Sequence, residues 1–209
     1  MKTVLVAAGP TRERIDPVRF ISNRSTGAFG YEIAREAIRR GMRAVLVSGP
    51  TELVPPRGAR LVRVESALEM RRAVMKELPA ADFVVMAAAV CDWRLRKSPA
   101  RSKIKRHGGR MRLELVENPD IAAEVGRKKG KRTLVGFALE TESLEKNARE
   151  KLKEKNLDVI VANRLSPAKD VFGPGRTDVI IIDRVGHKTV VRNKSKRELA
   201  EIIVGKMIQ

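Results

Sequence analysis

The sequence predicts an α/β fold built on a doubly wound, mostly parallel sheet. Short runs rich in Val, Ile and Leu alternate with longer runs whose apolar residues recur at helical spacing, and this alternation is typical of parallel strands joined by crossover helices. A turn signal near the C-terminus predicts an antiparallel hairpin that extends the sheet. No internal repeat or linker divides the chain, so we expect residues 1–209 to form a single domain.

The strands of this sheet are predicted from short apolar runs that end at Gly, Pro or polar residues. We place them at residues 3–8, 44–48, 61–64, 82–87, 133–138 and 158–162. The tail has a different topology, because runs at 179–182 and 189–191 flank a turn at 185–187. These last two runs are the strands of the predicted hairpin.

The helices are predicted from apolar periodicity and from residues that begin or end helices. Their ranges are 31–40, 67–77, 144–155 and 196–207, and one more begins at Asn118. Gly41 ends the first helix, Ser66 with Glu69 predicts a capping box on the second, and Ser195 caps the last. The combined pattern is Rossmann-like, and in such sheets ligands lie beyond the carboxyl ends of the strands.

The loop from Gly9 to Gly30 follows the first strand and is much longer than a phosphate-binding turn requires. It is rich in Arg, Ser and Asn, while Phe20, Ile21 and the apolar elements on both sides argue against disorder. Long ordered loops inside compact domains are usually functional. We therefore interpret this loop as part of a binding site, together with the run of small residues that follows the strand at 82–87.

A second unusual segment, residues 94–112, is basic and has no apolar periodicity. It contains Pro99, Gly108 and Gly109 and is predicted to be a flexible flap or a hairpin. A cationic flap that includes Lys103 could close over a triphosphate and neutralise its charge. The alternative is a solvated basic loop.

The composition narrows the classes of protein. A single cysteine, Cys91, excludes an intrachain disulfide and a multi-cysteine metal site. The reducing cytoplasm is therefore the expected compartment of the protein. Cys91 itself is expected to have a structural role. No apolar run approaches the roughly 20 residues of a membrane span, so we expect no membrane association. Charged residues make up 33% of the chain and Gln209 is its sole glutamine, a profile typical of thermophiles.

The formal net charge of +19 suits either nucleic acid or small polyanions such as nucleotides. One Tyr and one Trp are too few for the aromatic stacking that single-strand binders use. We therefore expect small polyanionic substrates and no nucleic acid, and a basic nucleic-acid-binding module is kept as an alternative.

Several residues of the long loop have a functional and a structural interpretation. Gly27 and Gly30 open a helix whose N–H groups could receive a phosphate, or they allow tight packing. Asn23 could stabilise an oxyanion or form an Asx turn. The dinucleotide fingerprint and the Walker lysine pattern are both absent. Their absence argues against a P-loop kinase and against an NAD(P)-dependent reductase, which is the other alternative.

Outside the long loop, Asp92 follows the alanine run at a strand end, where it could accept a hydrogen bond from a ribose hydroxyl. His107 and His187 have no matching partners in the sequence and are expected at the surface. Neither a serine triad nor a paired-carboxylate site is recognisable.

Seven blocks of the sequence carry a family resemblance. They are AGPTRERIDPVRFISNRSTGAFG, LVSGP, AAAVCDW, KIKR, ENPDI, VGFALET and KNLDVIVAN. In this order and spacing the chain resembles phosphopantothenate–cysteine ligase, from about Lys2 to near the C-terminus. The flavin-dependent decarboxylase domain that many relatives carry upstream is not in this sequence, so we expect a stand-alone ligase or an isolated ligase domain.

The resemblance implies a two-step reaction in coenzyme A biosynthesis. The carboxylate of 4′-phosphopantothenate attacks the α-phosphate of CTP or ATP, giving an acyl-nucleotidylate and pyrophosphate, and the amine of L-cysteine then attacks the acyl carbonyl. Such chemistry needs positioning, charge neutralisation and an oxyanion partner more than an acid–base pair. The resemblance also implies Mg²⁺ and a homodimer.

The resemblance also implies roles for individual residues. Asn23 and Lys103 would be catalytic, the first at the acyl carbonyl and the second at the triphosphate and the departing pyrophosphate. The nucleotide-binding set would be Gly9, Ser25, Gly27, Ala88, Asp92, Lys103, Phe137, Lys151 and Lys155. The substrate-binding set would be Arg19, Asn23 and Ala88, with Arg19 on the substrate's phosphate. No metal ligands are assigned.

Overall fold

A computed structural model of the chain describes residues 1–106, 108–165, 171–173 and 175–208. The strands, in chain order, are β1 (Thr3–Ala8), β2 (Arg12–Arg14), β3 (Phe20–Ser22), β4 (Arg43–Ser48), β5 (Arg60–Arg63), β6 (Phe83–Met86), β7 (Trp93–Leu95), β8 (Leu115–Glu117), β9 (Thr133–Glu140), β10 (Val159–Arg164), β11 (Thr177–Asp183) and β12 (Lys188–Lys194). The helices are α1 (Ala28–Arg39), α2 (Ala67–Glu77), α3 (Ile121–Lys128), α4 (Leu144–Glu154) and α5 (Lys196–Met207), with a 3₁₀ turn at Leu78–Ala80.

Within the described ranges, the main sheet has eight strands in the order β12-β11-β10-β9-β6-β1-β4-β5. The strands from β10 to β5 pair in parallel, and β11 and β12 add an antiparallel hairpin at one edge. Counted in chain order, the parallel strands lie in the sequence 3-2-1-4-5-6, which is the order of dinucleotide-binding folds. The predicted Rossmann-like sheet with a C-terminal hairpin is confirmed.

Both faces of the sheet are covered by helices, as a doubly wound fold requires. Every residue of β1 is buried. Val4, Val6 and Ala8 pack towards α1 and α5, and Leu5 and Ala7 pack towards α2, α3 and α4. Because successive side chains of a strand point to opposite faces, β1 contributes to two separate hydrophobic cores. None of the helices in the described ranges has the length and apolar character that crossing a lipid bilayer requires.

The predicted helix boundaries are accurate where capping residues are strong. Helix α5 begins after Ser195 with a full capping box. At α2, Ser66 accepts the Glu69 N–H, but the Glu69 carboxylate accepts from the Glu65 N–H, so the predicted reciprocal box is incomplete. Helix α3 is capped by Asp120, and the prediction that it starts at Asn118 was wrong by three residues. Pro119 explains the shift, because a residue before proline, here Asn118, disfavours helical dihedral angles.

Two small ribbons lie outside the main sheet, and only the one at the basic segment was anticipated, by the hairpin alternative for that segment. Strands β2 and β3 pair within the long loop. Strands β7 and β8 pair at the base of the basic segment, so the flap is the connection between two paired strands and its first residues are part of β7. His187 is exposed, as expected, whereas His107 lies outside the described residues.

The first two crossover loops approach each other closely at Gly49. A Cβ there would overlap the carbonyl oxygen of Pro10, and neither backbone segment can move without disturbing β1 or β4. We therefore expect Gly49→Ala to lower the free energy of unfolding by about 3 kcal/mol, the upper part of the usual range for overpacking. Urea denaturation measures this.

The matched control for Gly49→Ala is Gly175→Ala, because a Cβ at Gly175 meets no described atom within 4 Å. The control should leave the denaturation midpoint nearly unchanged. Equal midpoints for the two variants would contradict the proposed overlap.

Candidate functional site

A large cavity lies at the carboxyl edge of the main sheet, where the chain crosses from β1 to its two neighbours β4 and β6. Its volume is about 840 Å³, within the size range of small-molecule sites. It is lined by residues that follow β3, β6, β8, β9 and β10 and by parts of α1, α3 and α4. This is the topological switch point at which open α/β sheets bind ligands.

The floor of the cavity is formed by two backbone segments that continue the pairing of β1 with β6. The Ala87 N–H donates to the Ala7 carbonyl and the Ala89 N–H donates to that of Gly9, and the Thr11 N–H returns to the Ala89 carbonyl. The small side chains of this run leave the backbone accessible beside Ala88, which lines the cavity. The sequence prediction that this run permits close approach is consistent with this geometry.

Asn23 joins the long loop to the alanine run. Its Nδ2 atom donates to the carbonyl oxygens of Ala89 at 3.0 Å and Val90 at 3.2 Å. The neighbouring Ser22 hydroxyl donates to the Thr11 carbonyl at 2.8 Å. The exposed Asn23 amide is therefore held at the cavity by contacts with the backbone that forms its floor.

Gly27 is the N-cap of α1 and has a φ of 82°, in the left-handed region that favours glycine. A Cβ on Gly27 would lie 3.0 Å from the Gly9 Cα, so these two glycines let the loop and the strand end pack together. No acidic residue occupies the first turn of α1, and the Ser25 hydroxyl accepts the Gly27 N–H at 3.2 Å. Gly27 and Ser25 line the cavity, and this helix N-terminus is suited to an anion.

Cys91 is also one of the residues that line the cavity. Its N–H donates to the Thr11 hydroxyl at 2.9 Å, and its thiol is buried. Burial raises the pKa of the Cys91 thiol, which keeps it protonated and unreactive. The next residue, Asp92, is exposed and lines the cavity, and its carbonyl accepts the Asn118 N–H at 2.7 Å.

The two lysines predicted at the nucleotide, Lys151 and Lys155, both line the cavity and both pair with carboxylates. The Lys151 ammonium lies 2.5 Å from a Glu140 oxygen, and that of Lys155 lies 3.0 Å from Asp120. Burial would raise the pKa of Glu140 and of Asp120, but hydrogen bonds to these carboxylates and the adjacent ammonium groups lower both. Sequence reasoning missed both acids, because a carboxylate has no motif that reveals its distant partner.

An aromatic wall closes the other end of the cavity. The rings of Phe29 and Phe137 lie 5.3 Å apart, and the Lys196 ammonium lies 5.8 Å from the Phe29 ring centre. The Thr26 hydroxyl donates to the Phe172 carbonyl at 3.2 Å. Of these residues only Phe137 was predicted by itself, although Phe29 lies between Gly27 and Gly30 at the end of the long loop.

Three predicted site residues do not line the cavity. Gly9 lies behind it and supports the packing of Gly27. Lys103 is exposed on the flap. Arg19 forms an ion pair with Asp16 at 2.8 Å and donates to the flap carbonyl of Ile104 at 2.6 Å. The structure thus brings together Asn23, Ser25, Gly27, Ala88, Asp92, Phe137, Lys151 and Lys155.

Comparison with known proteins agrees with this geometry. The chain is 44% identical over 200 residues to the coenzyme A biosynthesis bifunctional protein CoaBC of Bacillus subtilis (strain 168), with coverage of 95% of this chain and 49% of that protein. It is 40% identical over 207 residues to the protein of the same name from Haemophilus influenzae (strain ATCC 51907 / DSM 11121 / KW20 / Rd), covering 99% and 51%. The chain therefore spans about half the length of the curated relatives it matches.

A solved structure and a family model also match this chain over nearly its whole length. The crystal structure of the C-terminal domain of coenzyme A biosynthesis bifunctional protein CoaBC superimposes with a TM-score of 0.83 at 38% identity, covering 98% of this chain and 93% of that one. The family described as the DNA/pantothenate metabolism flavoprotein C-terminal domain matches residues 1–209. These findings confirm the resemblance carried by the seven sequence blocks, and the chain belongs to this family.

Proposed function

We propose that the chain joins 4′-phosphopantothenate to L-cysteine, using a nucleoside triphosphate, in coenzyme A biosynthesis. The observation that carries this proposal is the single cavity in which Asn23, Ser25, Gly27, Ala88, Asp92 and Phe137 meet. These residues come from three of the seven blocks that resemble the ligase. A chance resemblance would not require residues from separate blocks to converge at the switch point of the sheet.

The chemistry of the cavity supports acyl activation followed by amine transfer. In the first step the substrate carboxylate attacks the α-phosphate, a new C(=O)–O–P linkage forms, and pyrophosphate leaves. In the second step the cysteine amine attacks the acyl carbonyl, the amide forms, and the nucleoside monophosphate leaves. The N-terminus of α1 and the flap cations can neutralise the phosphates, and Asn23 supplies a side-chain amide beside Ala89 and Val90.

The pairing of two cavity lysines with acids supports separate binding regions for the triphosphate and for the ribose and base. Because Glu140 and Asp120 neutralise them, Lys151 and Lys155 add little net charge. They are therefore suited to uncharged oxygens of the ribose or base, whereas the Gly27 end suits the triphosphate. We propose that Asp92, which is exposed and lines the cavity, accepts a hydrogen bond from a ribose hydroxyl.

We include Mg²⁺ in the proposal as an ion that enters with the triphosphate. Within the residues that the structure describes, no three His, Cys, Asp or Glu side chains cluster closely enough to hold a metal ion. Mg²⁺ commonly keeps several waters and binds through substrate phosphates with one or two carboxylates. The donor set of the cavity fits that mode, and when bound the ion would supply charge neutralisation for the phosphates.

The buried Cys91 thiol and the charge-rich composition support two further parts of the proposal. A cysteine that stays reduced is suited to a cytoplasmic compartment. A large share of charged residues with a single glutamine is suited to growth at high temperature.

The proposed activity is tested by pyrophosphate release from ATP and, separately, from CTP in the presence of 4′-phosphopantothenate. Release should require one of the two nucleotides and Mg²⁺, and addition of cysteine should yield phosphopantothenoylcysteine. Comparison of the two nucleotides identifies the co-substrate. No turnover with either nucleotide would contradict the proposal, and binding of a nicotinamide cofactor instead would favour a reductase.

We also propose that the chain forms a homodimer through the β7–β8 ribbon. The ribbon exposes Trp93 and Leu115, and Leu113 just before β8 is exposed beside them, with exposed fractions of 48%, 37% and 39%. A two-stranded ribbon is marginally stable by itself. Leu115→Asp should shift the mass in solution from dimer to monomer, as measured by light scattering. The control Val190→Asp changes an exposed valine on β12, and dimers in both variants would contradict this interface.

A further inference from the structure

The flap is fastened to the long loop at one buried carboxylate. Asp16, in the turn between β2 and β3, is only 1% exposed. Its Oδ1 accepts the N–H groups of Val18 at 2.8 Å and Arg19 at 2.9 Å. Its Oδ2 accepts the Ile104 N–H of the flap at 3.2 Å and pairs with the Arg19 guanidinium at 2.8 Å.

Arg19 and the flap are also joined directly. The Nη2 atom of Arg19 donates to the Ile104 carbonyl at 2.6 Å. A further contact, from the Ala100 N–H to the Ile15 carbonyl at 3.1 Å, holds the preceding part of the flap. Both backbone groups of Ile104 are therefore bound to the Asp16–Arg19 pair, and this group of three residues is called the flap anchor below.

The electrostatics of the flap anchor favour a permanent carboxylate. Burial alone would raise the pKa of Asp16, but the hydrogen bonds from Val18, Ile104 and Arg19, together with the Arg19 charge, lower it to about 2. The anchor thus stays charged throughout the physiological range. The Nε of Arg19 is also buried and has no hydrogen-bond partner among the described residues, so the contacts of this guanidinium are made through its terminal nitrogens.

We propose that Asp16 is a positioning residue that orients Arg19 and holds the flap through Ile104. This inference rests on the proposed ligase function, since it concerns the two groups expected at the substrate's phosphate and at the triphosphate. Lys103 and Lys105 flank Ile104 in the chain, so fixing the Ile104 backbone limits the space that both ammonium groups can reach. Asp16 thereby couples the position of the flap lysines to that of Arg19.

The first test needs no substrate. Asp16→Asn keeps the shape of the side chain but removes the charge that binds Arg19, so trypsin should cut after Lys105 and Arg106 about tenfold faster, the effect of weakening charge-assisted hydrogen bonds. Glu65→Gln is the matched control, because Glu65 pairs with Arg14 of the same hairpin. Wild-type cleavage rates in folded Asp16→Asn would overturn the proposal.

A second pair of variants covers the case in which Asp16→Asn fails to fold. Ile104→Pro removes the flap N–H that reaches Asp16 and fixes the local φ angle. Ser102→Pro introduces the same ring restriction two residues earlier in the flap, so it controls for that restriction. Both leave the trypsin sites after Lys105 and Arg106 intact. We expect trypsin to cut Ile104→Pro faster than wild type and Ser102→Pro at the wild-type rate. Equal cleavage rates in the two variants would contradict the proposed role of Asp16 in holding the flap.

The kinetic test separates this proposal from the ligase function itself. In Asp16→Asn, pyrophosphate release should show a raised KM for 4′-phosphopantothenate and a lowered kcat, because Arg19 and the flap are both displaced. A loosened flap with unchanged kcat and KM would overturn the positioning role. If wild-type protein releases no pyrophosphate, the ligase function fails, while the cleavage experiment still decides whether Asp16 anchors the flap.

Discussion

Asn23→Asp should slow the transfer of the acyl group to cysteine about 100- to 1,000-fold, the usual cost of losing one oxyanion donor, while the acyl-nucleotide still forms. A carboxylate cannot donate a hydrogen bond to a developing oxyanion. It also faces the carbonyl oxygens of Ala89 and Val90, which the Asn23 amide contacts in the structure. Rapid-quench measurement of acyl-nucleotide formation and of its decay with cysteine resolves the two steps.

A comparison variant distinguishes chemistry at Asn23 from loss of a tether. Asn118 also donates through its amide to this run, at the Cys91 carbonyl, with a distance of 2.9 Å. Asn118→Asp should therefore affect both steps similarly and more weakly. If Asn23→Asp transferred the acyl group at the wild-type rate, Asn23 would have no part in the second step.

Lys103→Gln should reduce the nucleotide-consuming step about 100-fold and leave transfer from a preformed acyl-nucleotide nearly unchanged. The departing pyrophosphate carries negative charge that a flap ammonium would stabilise, and positioned charges of this kind contribute several kcal/mol to phosphoryl-transfer reactions. Because Lys103 is exposed in the structure and lies outside the cavity lining, this effect requires the flap to approach the bound triphosphate. Single-turnover pyrophosphate release measures it.

The matched control for Lys103→Gln is Lys97→Gln, which removes the same charge from the start of the flap. The rate of the nucleotide-consuming step in Lys97→Gln should stay within about twofold of the wild-type rate, since salt screens exposed charges that do not contact the nucleotide. If both variants lost the same fraction of the pyrophosphate-release rate, the flap would act only through its total charge. If both released pyrophosphate at the wild-type rate, the flap would be a solvated basic loop with no part in the reaction.

The order of strands and helices was predictable because each signal is local. The alternation of apolar runs, the Ser195 cap and the hairpin turn all depend on neighbours within a few residues. The β2–β3 ribbon was missed because each of its strands is three residues long, too short to establish a periodic pattern. Such short strands are stabilised by pairing with a partner strand, and the sequence pattern does not show which segment that partner is.

The site was predictable in part, through its motifs. The loop that contains Asn23, Ser25 and Gly27 was identified from its unusual length, and the structure places it at the expected edge of the sheet. Phe29, Phe172 and Lys196 were missed, since nothing in their local sequence distinguishes them from core or surface residues. The individual roles of the predicted residues stay predictions, to be decided by the variants above.

By itself, the sequence determined the α/β class, the hairpin extension and the family, because backbone preferences and ordered motifs are properties of neighbouring residues. Only the tertiary structure decided which charges neutralise each other. It pairs Lys151 with Glu140 and Lys155 with Asp120, and it places Arg19 and Ile104 on Asp16 instead of in the cavity. The physical reason is that electrostatic partners are chosen by distance in space, which depends on how the whole sheet is assembled.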